Sequence, residues 1–298
     1  MTRSLRLLPF AALLLLSAAC TNDPASADAQ GGAGGEPGSA GTSHGGQSGS
    51  TESCPAGTNP FAAAKPLSLG LISGQLVDAQ GEPTSAGLVQ ICGKDICINA
   101  RVSDNGKLAE GVGKTLDTPA CKFGDGLTWG KLAVPLEAGD SALGTLTTPR
   151  LPEFADAVPF TPGQAITSGG VTLTLAADAR VEVDTLTYEN EAERGFRAVA
   201  LSEPALTQLG QDFVAGYALS PVETRVCPSP ALSLENTTEL PAGAGLELFL
   251  LGLDIGEKWA PYGAWQKVGE GQVSDDGATL EFPDGLPLLT AIGIREKG

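Results

Sequence analysis

The sequence predicts an all-β protein. Two β-sandwich domains, residues 66–150 and 151–298, follow an N-terminal leader and a disordered Gly/Ser-rich stretch. Three observations predict this. Short apolar runs alternate with period two, as in Val171-Thr-Leu-Thr-Leu175 and Val181-Glu-Val-Asp184, the mark of half-buried strands. Turn dipeptides recur at Asn105-Gly106, Asp125-Gly126, Asp276-Gly277 and Asp284-Gly285, and such pairs between apolar runs signal hairpins. Only Ser202-Glu-Pro-Ala-Leu-Thr-Gln-Leu-Gly210 reads as a helix, with Ser202 as N-cap, Pro204 in the first turn and Gly210 as its stop. Many short strands with regular turns pack as sandwiches.

The leader occupies residues 1–19. Arg3 and Arg6 precede an apolar run from Leu7 to Leu16, and small residues follow. A basic start, a short apolar stretch and a small-residue site define an export signal. The run is too short for a membrane span, which takes roughly 20 apolar residues. Leu16-Ser17-Ala18-Ala19-Cys20 resembles the bacterial lipoprotein signal, with Leu one step further from Cys than that family usually has it. The resemblance implies cleavage before Cys20, acylation of its thiol and new N-terminus, and attachment to a membrane through this lipid anchor. Several acyl chains, at ~0.8 kcal/mol per buried CH₂, hold a protein firmly. Thr21 stands where an inner-membrane retention signal has Asp, so the expected location is the outer membrane of the cell envelope. Residues 20–65 are read as the lipidated Cys and a flexible tether. Gln30 to Ser50 has no large apolar side chain, so it cannot offset the entropy of folding.

In the first sandwich, Leu88-Val-Gln-Ile-Cys-Gly-Lys-Asp-Ile-Cys-Ile-Asn99 reads as two strands around a tip at Lys94-Asp95. That register sets Cys92 opposite Cys97, within bridging range. An exported protein meets oxidising conditions, where disulfides are the default. A Cys92–Cys97 bridge, longer-range bridges and a metal pair are all open readings. Cys54, Cys121 and Cys227 have no readable pairing, and the odd count beyond Cys20 leaves one thiol free or paired between chains. Gly74, Val77-Asp78, Gly81, Pro83 and Leu88-Val89 resemble the carboxypeptidase regulatory-like domain, a transthyretin-like sandwich. Ser103-Asp104-Asn105-Gly106 resembles a later turn of that family. The resemblance implies strand, turn, strand and a surface module without peptidase activity.

In the second sandwich, Leu246-Glu-Leu-Phe-Leu-Leu251 is apolar on both faces and reads as a central strand. Gly169-Gly-Val-Thr-Leu-Thr-Leu175, Leu219-Ser-Pro221, Leu240-Pro-Ala-Gly243, Trp265-Gln-Lys-Val268 and Ser274-Asp-Asp-Gly277 are similar to the β-sandwich shared by ankyrins and netrin receptors. That family implies protein contacts and no active site. Lys258-Trp-Ala-Pro-Tyr-Gly-Ala-Trp265 gathers three aromatic rings. Trp259, Tyr262 and Trp265 either cap the core or form a binding platform for a glycan or partner protein.

The 298 residues carry a formal net charge of −17. Loss of Arg3 and Arg6 with the leader leaves 16 basic against 35 acidic residues, or −19. The excess is uneven: Pro60 to Arg150 has nine acids and eight bases, Leu151 to Gly298 has 22 and eight. Such a surface repels polyphosphate, so nucleic acid is not an expected partner. His44, the only histidine, lies in the tether, so His-based triads and His-based metal sites are excluded from the sandwiches. No phosphate-binding Gly-rich loop with a following Lys-Ser/Thr occurs, and no cofactor or metal is expected. The expected function is therefore non-enzymatic: a module for protein or glycan binding or adhesion. A structural envelope protein and a carboxylate-based hydrolase are the competing readings, and the oligomeric state is not readable.

The leader yields a direct test. Cys20→Ala is expected to abolish incorporation of labelled fatty acid and to leave the precursor unprocessed; equal labelling of the variant would remove the anchor from the account.

Overall fold

The described residues of this computed structural model, 54–58, 65–85, 87–254 and 258–298, hydrogen-bond into four sheets. Cys20, the predicted leader and His44 lie outside the described residues. Up to Arg150 the strands are β1 (Pro66–Val77), β2 (Val89–Cys92), β3 (Cys97–Asn99), β4 (Lys107–Asp117), β5 (Ala120–Phe123), β6 (Leu132–Pro135) and β7 (Gly139–Thr147). They form two sheets, ordered β4-β1-β7 and β3-β2-β5-β6. β1 runs antiparallel to β4 and parallel to β7. Alternate residues point inward: Leu69, Ile72 and Leu76 of β1 and Leu108, Val112 and Leu116 of β4 meet Val89, Ile91, Phe123, Leu132 and Val134 from the facing sheet. The segment from Ile72 to Cys92 thus crosses from one sheet to the other. Its turn is closed by the Asp78 carboxylate, which accepts the Gln80 and Glu82 N–H groups, both at 2.9 Å.

Cys92 pairs with Cys97 across β2 and β3, and their sulfurs are bonded, with a Cα–Cα distance of 4.0 Å. Cys121 is a buried free thiol, pushed up to about 12 by desolvation, so it is inert as a nucleophile at neutral pH.

The second half holds β8 (Ala165–Ser168), β9 (Val171–Thr174), β10 (Arg180–Glu182), β11 (Arg197–Ala200), α1 (Glu203–Gln208), β12 (Ala215–Ser220), β13 (Arg225–Cys227), β14 (Ala231–Glu235), β15 (Gly245–Leu251), β16 (Trp265–Val273), β17 (Thr279–Phe282) and β18 (Ile292–Glu296). Nine of these form one sheet, ordered β11-β12-β18-β15-β16-β17-β14-β9-β8. The sheet curls until its two edges meet. The Ala198 N–H on β11 donates to Ser168 Oγ at the end of β8, at 3.1 Å. Gly169 permits this approach, since a Cβ there would lie 2.1 Å from the Ala198 carbonyl oxygen. Leu173, Leu232, Leu234, Leu246, Leu248, Leu250, Leu280, Ile292 and Ile294 fill the interior. Asp276-Gly277 turns the chain from β16 to β17, with Gly277 at φ +73°. Asp284-Gly285 departs from the hairpin expectation. It follows β17 but joins no paired strands, and lets Gly285 lie against the Pro230 carbonyl.

No sheet mixes strands from the two sides of Arg150, but apolar packing crosses that point. Leu201, Ala205 and Leu209 around α1, together with Ala218, Val222, Leu251, Leu253 and Ala291, join the core of the first half. Helix α1 starts after Ser202, whose side chain makes no cap hydrogen bond. Its Gln208 amide accepts from Thr147 N–H at 2.5 Å and donates to Thr147 C=O at 2.8 Å, so it continues the hydrogen bonding of β7. Among the described residues no helix is long and apolar enough to cross a membrane.

Two further ties are long-range. Arg197 is 1% exposed. Its guanidinium donates to the carbonyls of Leu127 (2.7 Å) and Pro152 (3.0 Å) and to Ser220 Oγ (3.1 Å), and stacks 4.1 Å from the Phe154 ring. Cys54 is bonded to Cys227, 173 residues away. The Cys54 N–H donates to Glu182 Oε1 at 2.6 Å, and Arg225 donates to its carbonyl at 3.2 Å. This corrects the extent of the tether, which was expected to run to residue 65. Cys54 is buried against the two-stranded sheet of β10 and β13. Closing a loop of this length contributes roughly 5 kcal/mol by chain entropy.

Arg197→Met is expected to lower unfolding free energy by about 3 kcal/mol or more, because buried carbonyls lose their donors. Arg197→Lys should not restore it, since an ammonium cannot span three acceptors in a planar fork. Urea melts of the three proteins decide the matter, and a Lys variant as stable as the parent would contradict the clamp.

Candidate functional sites

The structure sends the three rings of the aromatic segment to different neighbours, nearer the core-packing reading than the platform reading. After β15 the chain returns over its own strand end: Gly252 N–H donates to Ala264 C=O and Gly263 N–H to Gly252 C=O, at 2.9 and 2.8 Å. Gly252 is required there, because a Cβ would sit 2.2 Å from the Pro261 carbonyl oxygen. The return presses the three rings in different directions. Trp259 is half-buried against the interior of the nine-stranded sheet. Trp265 packs toward the shared core and meets the Phe213 ring edge-on at 4.8 Å. Tyr262 is 3% exposed. Packing buries Tyr262 and part of each tryptophan, so the three do not share one exposed face.

Tyr262 leads instead to a polar cleft on the seam between the halves. The disulfide-closed hairpin supplies one wall, Gly93 to Cys97; Lys122, Lys131, Glu223, Leu253, Asp254 and Tyr262 supply the rest, around a volume of about 320 Å³. An adjoining hollow of about 250 Å³ shares Glu223 and Asp254 and adds Glu182, Asp184 and Arg225. Lys122 projects from β5. Its ammonium donates to Leu253 C=O at 2.7 Å and lies 4.6 Å over the Tyr262 ring. Desolvation, helped by repulsion from Lys131, pushes it down to about 8 against the pull of Glu223 and Asp254. Glu223 is held at φ +66°, a strained conformation for a residue with a side chain. Its N–H donates to Leu289 C=O at 2.7 Å, and its carboxylate lies 3.8 Å from Lys131 Nζ. Burial raises the Glu223 carboxyl above the usual range. The Tyr262 hydroxyl is buried without a hydrogen-bond partner, and desolvation with the nearby Asp254 and Glu223 raises its pKa. Strain, burial and shifted titration in one cleft mark a candidate site. Sequence reading missed it, because neither the φ of Glu223 nor the burial of Lys122 leaves a local pattern.

A second hollow, of about 590 Å³, lies on the outer face of the nine-stranded sheet. Register builds it. Gln272 pairs with Glu281, Glu281 with Ser233, and Ser233 with Thr172, so their side chains form a polar row across four strands. Glu270, Thr174, Ala231 and Pro283 complete the lining that matters. Glu270 is fixed by Lys267 and Lys297, at 2.5 and 2.8 Å. Those two partners pull its carboxyl down to about 2. Glu247 is likewise held by Lys267 and Arg295, at 2.8 and 2.7 Å. Among the described residues no group of three or more His, Cys, Asp or Glu is placed to hold a metal ion.

No family model matches the chain, and no curated protein is similar to it. Solved structures give faint likenesses. A DUF3823 family protein from Parabacteroides merdae aligns over 74% of this chain and 98% of its own, at 11% identity and a TM-score of 0.19. A protein from Bacteroides uniformis, described as a candidate carbohydrate-binding protein, aligns over 78% and 100%, at 9% identity and a TM-score of 0.22. A DUF3823 family protein from Bacteroides ovatus aligns over 76% and 91%, at 11% identity and a TM-score of 0.19. Such TM-scores carry no weight for fold or ligand.

Lys122 gives a pH test. Its folded pKa is depressed below the unfolded value near 10.4, so between about 8 and 10 the unfolded chain binds the extra proton. Stability contributed through this group therefore rises with pH across that window. The stability advantage of Lys122→Met over the parent is expected to shrink from pH 8 to pH 10. Parallel denaturation curves with a constant difference across that range would contradict the buried charge.

Proposed function

We propose that this chain is a non-enzymatic cell-envelope lipoprotein, anchored at Cys20 to the outer membrane, that binds neutral glycan in the groove on its nine-stranded sheet. One observation carries the reading: a 590 Å³ hollow lined by both donors and acceptors beside small apolar surfaces. Sugars present that mixture, with hydroxyls around the ring and C–H groups on its faces. Glu270 and Glu281 accept from hydroxyls, Gln272 does both, and Ser233 and Thr174 adapt their direction. Ala231 and Pro283 supply apolar contact. Two carboxylates disfavour acidic polysaccharide, so the ligand is neutral or basic. Glu270 is already held in place by two lysines, so little freedom is lost on binding.

The low Glu270 pKa supports binding over hydrolysis. A glycosidase needs a carboxyl raised high enough to donate a proton, and Lys267 and Lys297 push Glu270 the other way. For the first half, the crossing from sheet to sheet between Ile72 and Cys92 supports a transthyretin-like display module.

The reading is tested with the protein spanning residues 51–298 on a panel of neutral oligosaccharides. Retention is expected, and Gln272→Ala with Glu281→Gln should weaken it about tenfold or more, as lost hydrogen bonds to charged and amide groups do. Failure to retain any neutral glycan, or undiminished retention by the double variant, would overturn it.

A further inference from the structure

We propose that the outer edge of β7, away from the sheet groove, docks an extended basic segment of a partner protein, which joins the first half as an added strand. β7 is the last strand in the order β4-β1-β7, and among the described residues no strand lies beyond it. Register says which of its backbone groups face outward. Thr148 N–H turns inward to Val77 C=O at 2.9 Å, so Thr147, opposite Val77, is free to face out. Val77, Gln75 and Ser73 alternate along β1, and their partners on β7 are Thr147, Thr145 and Ala142. These three therefore direct their N–H and C=O groups away from β1. Ala142 and Thr145 are exposed.

The Gln208 side chain marks what this edge accepts. Its amide takes the Thr147 N–H at 2.5 Å and donates to the Thr147 C=O at 2.8 Å. A primary amide has the donor and acceptor of a peptide group, so helix α1 already satisfies the end of the edge as an added strand would. A groove of about 480 Å³ continues from that point, with Leu143 and Thr145 on the strand side and Glu203, Pro204 and Thr207 on the helix side. In strand addition the main chain supplies affinity, and hollows for alternate side chains supply selectivity.

The two edges of this sheet differ in protection. β4 carries Lys107, Glu110 and Lys114, and charges of this kind keep an edge from pairing with foreign chains. β7 has Asp140 at its start, and that carboxylate is engaged by the Leu71 N–H at 2.8 Å. From Ser141 to Thr147 the strand has neither a charge nor a proline. Charge also selects the occupant. Glu203 is exposed and is the one charged side chain in the groove lining, so a lysine or arginine on the incoming strand is matched there. A second copy of this chain fits worse, because it would bring acidic groove to acidic groove in a protein of net charge −17.

The probe is the capped peptide acetyl-Lys-Thr-Val-Thr-Val-Thr-Lys-amide, labelled for fluorescence polarisation and titrated into the full chain. Saturable binding is expected. A peptide with proline at its centre, and one with Glu for both Lys, should each bind about tenfold more weakly or worse. Thr145→Pro removes an N–H that β1 does not use, and binding should fall about tenfold. Thr145→Lys keeps the backbone but adds the kind of charge that protects β4, and should give the same loss. Glu203→Gln should weaken the Lys peptide about threefold and narrow its advantage over the Glu peptide. Circular dichroism melts establish that each variant is folded. No binding by the parent, equal binding of the proline peptide, undiminished binding by Thr145→Lys, an unchanged Lys preference in Glu203→Gln, or a dimer of the chain that Thr145→Lys dissociates would each overturn the assignment.

Discussion

The guanidinium of Arg197 is the tie on which the relation of the two halves depends. It is almost entirely out of water, and its two terminal nitrogens meet two carbonyls and one hydroxyl while its plane meets an aromatic face; Nε alone has no hydrogen-bond partner. Each acceptor belongs to a different part of the chain: Leu127 to the β5–β6 loop, Pro152 to the crossing segment, Ser220 to β12. The same loop is organised from its other side by Asp125, whose carboxylate accepts the N–H groups of Leu127, Thr128 and Trp129 at 2.8 to 2.9 Å. Tyr188 closes the circle, accepting Val222 N–H at 2.6 Å and donating to Gly126 C=O at 3.3 Å. A buried charge without such partners would cost several kcal/mol. Satisfying it forces three segments into one arrangement, and that arrangement sets Lys122 and Lys131 beside Glu223 and Asp254.

The uneven acidity of the chain takes on meaning in that geometry. The second half has 22 acids against eight bases. Part of the deficit is met inside the half, where Lys267, Arg295 and Lys297 serve Glu247 and Glu270. Another part is met across the seam by lysines of the nearly neutral first half. The charged groups on the outer sheet are exposed and screened, so they contribute little to stability. Of the seam charges, Lys122 and Glu223 are desolvated, which shifts both toward their neutral forms.

What the sequence made legible was local. The double-faced apolar run Leu246–Leu251 is central in its sheet because it has two faces to bury: Leu246, Leu248 and Leu250 enter the second core, and Leu251 the shared one. Helix α1 was readable from Ser202, Pro204 and Gly210, since its start and stop chemistry lies within nine residues. The Lys94-Asp95 tip fixed a register for the same reason. What escaped notice depends on residues far apart. Cys54 meets Cys227 across 173 positions, and no spacing rule reaches that far. Arg197 opens the short run Arg197-Ala-Val-Ala200, in which no local pattern shows that its charge is buried. The three rings of 259–265 left core and surface both open, because closeness in sequence does not say where each ring points; the turn back over Gly252 sends them to different neighbours.

The bond between Cys54 and Cys227 also decides how the molecule carries mechanical load. A pull arriving from the N-terminal side enters the fold at Cys54 and passes through a covalent link into β13, deep in the second half. The chain between the two cysteines, which lie 173 positions apart, is a closed loop that carries none of this load. β1, whose ladder with β4 begins at Pro66 and with β7 at Leu69, is therefore shielded from being peeled off its sheet. Under reducing conditions the route changes, and tension reaches β1 first. Reduction of this single bond would leave the two-stranded sheet of β10 and β13 without its covalent link to the chain that precedes β1.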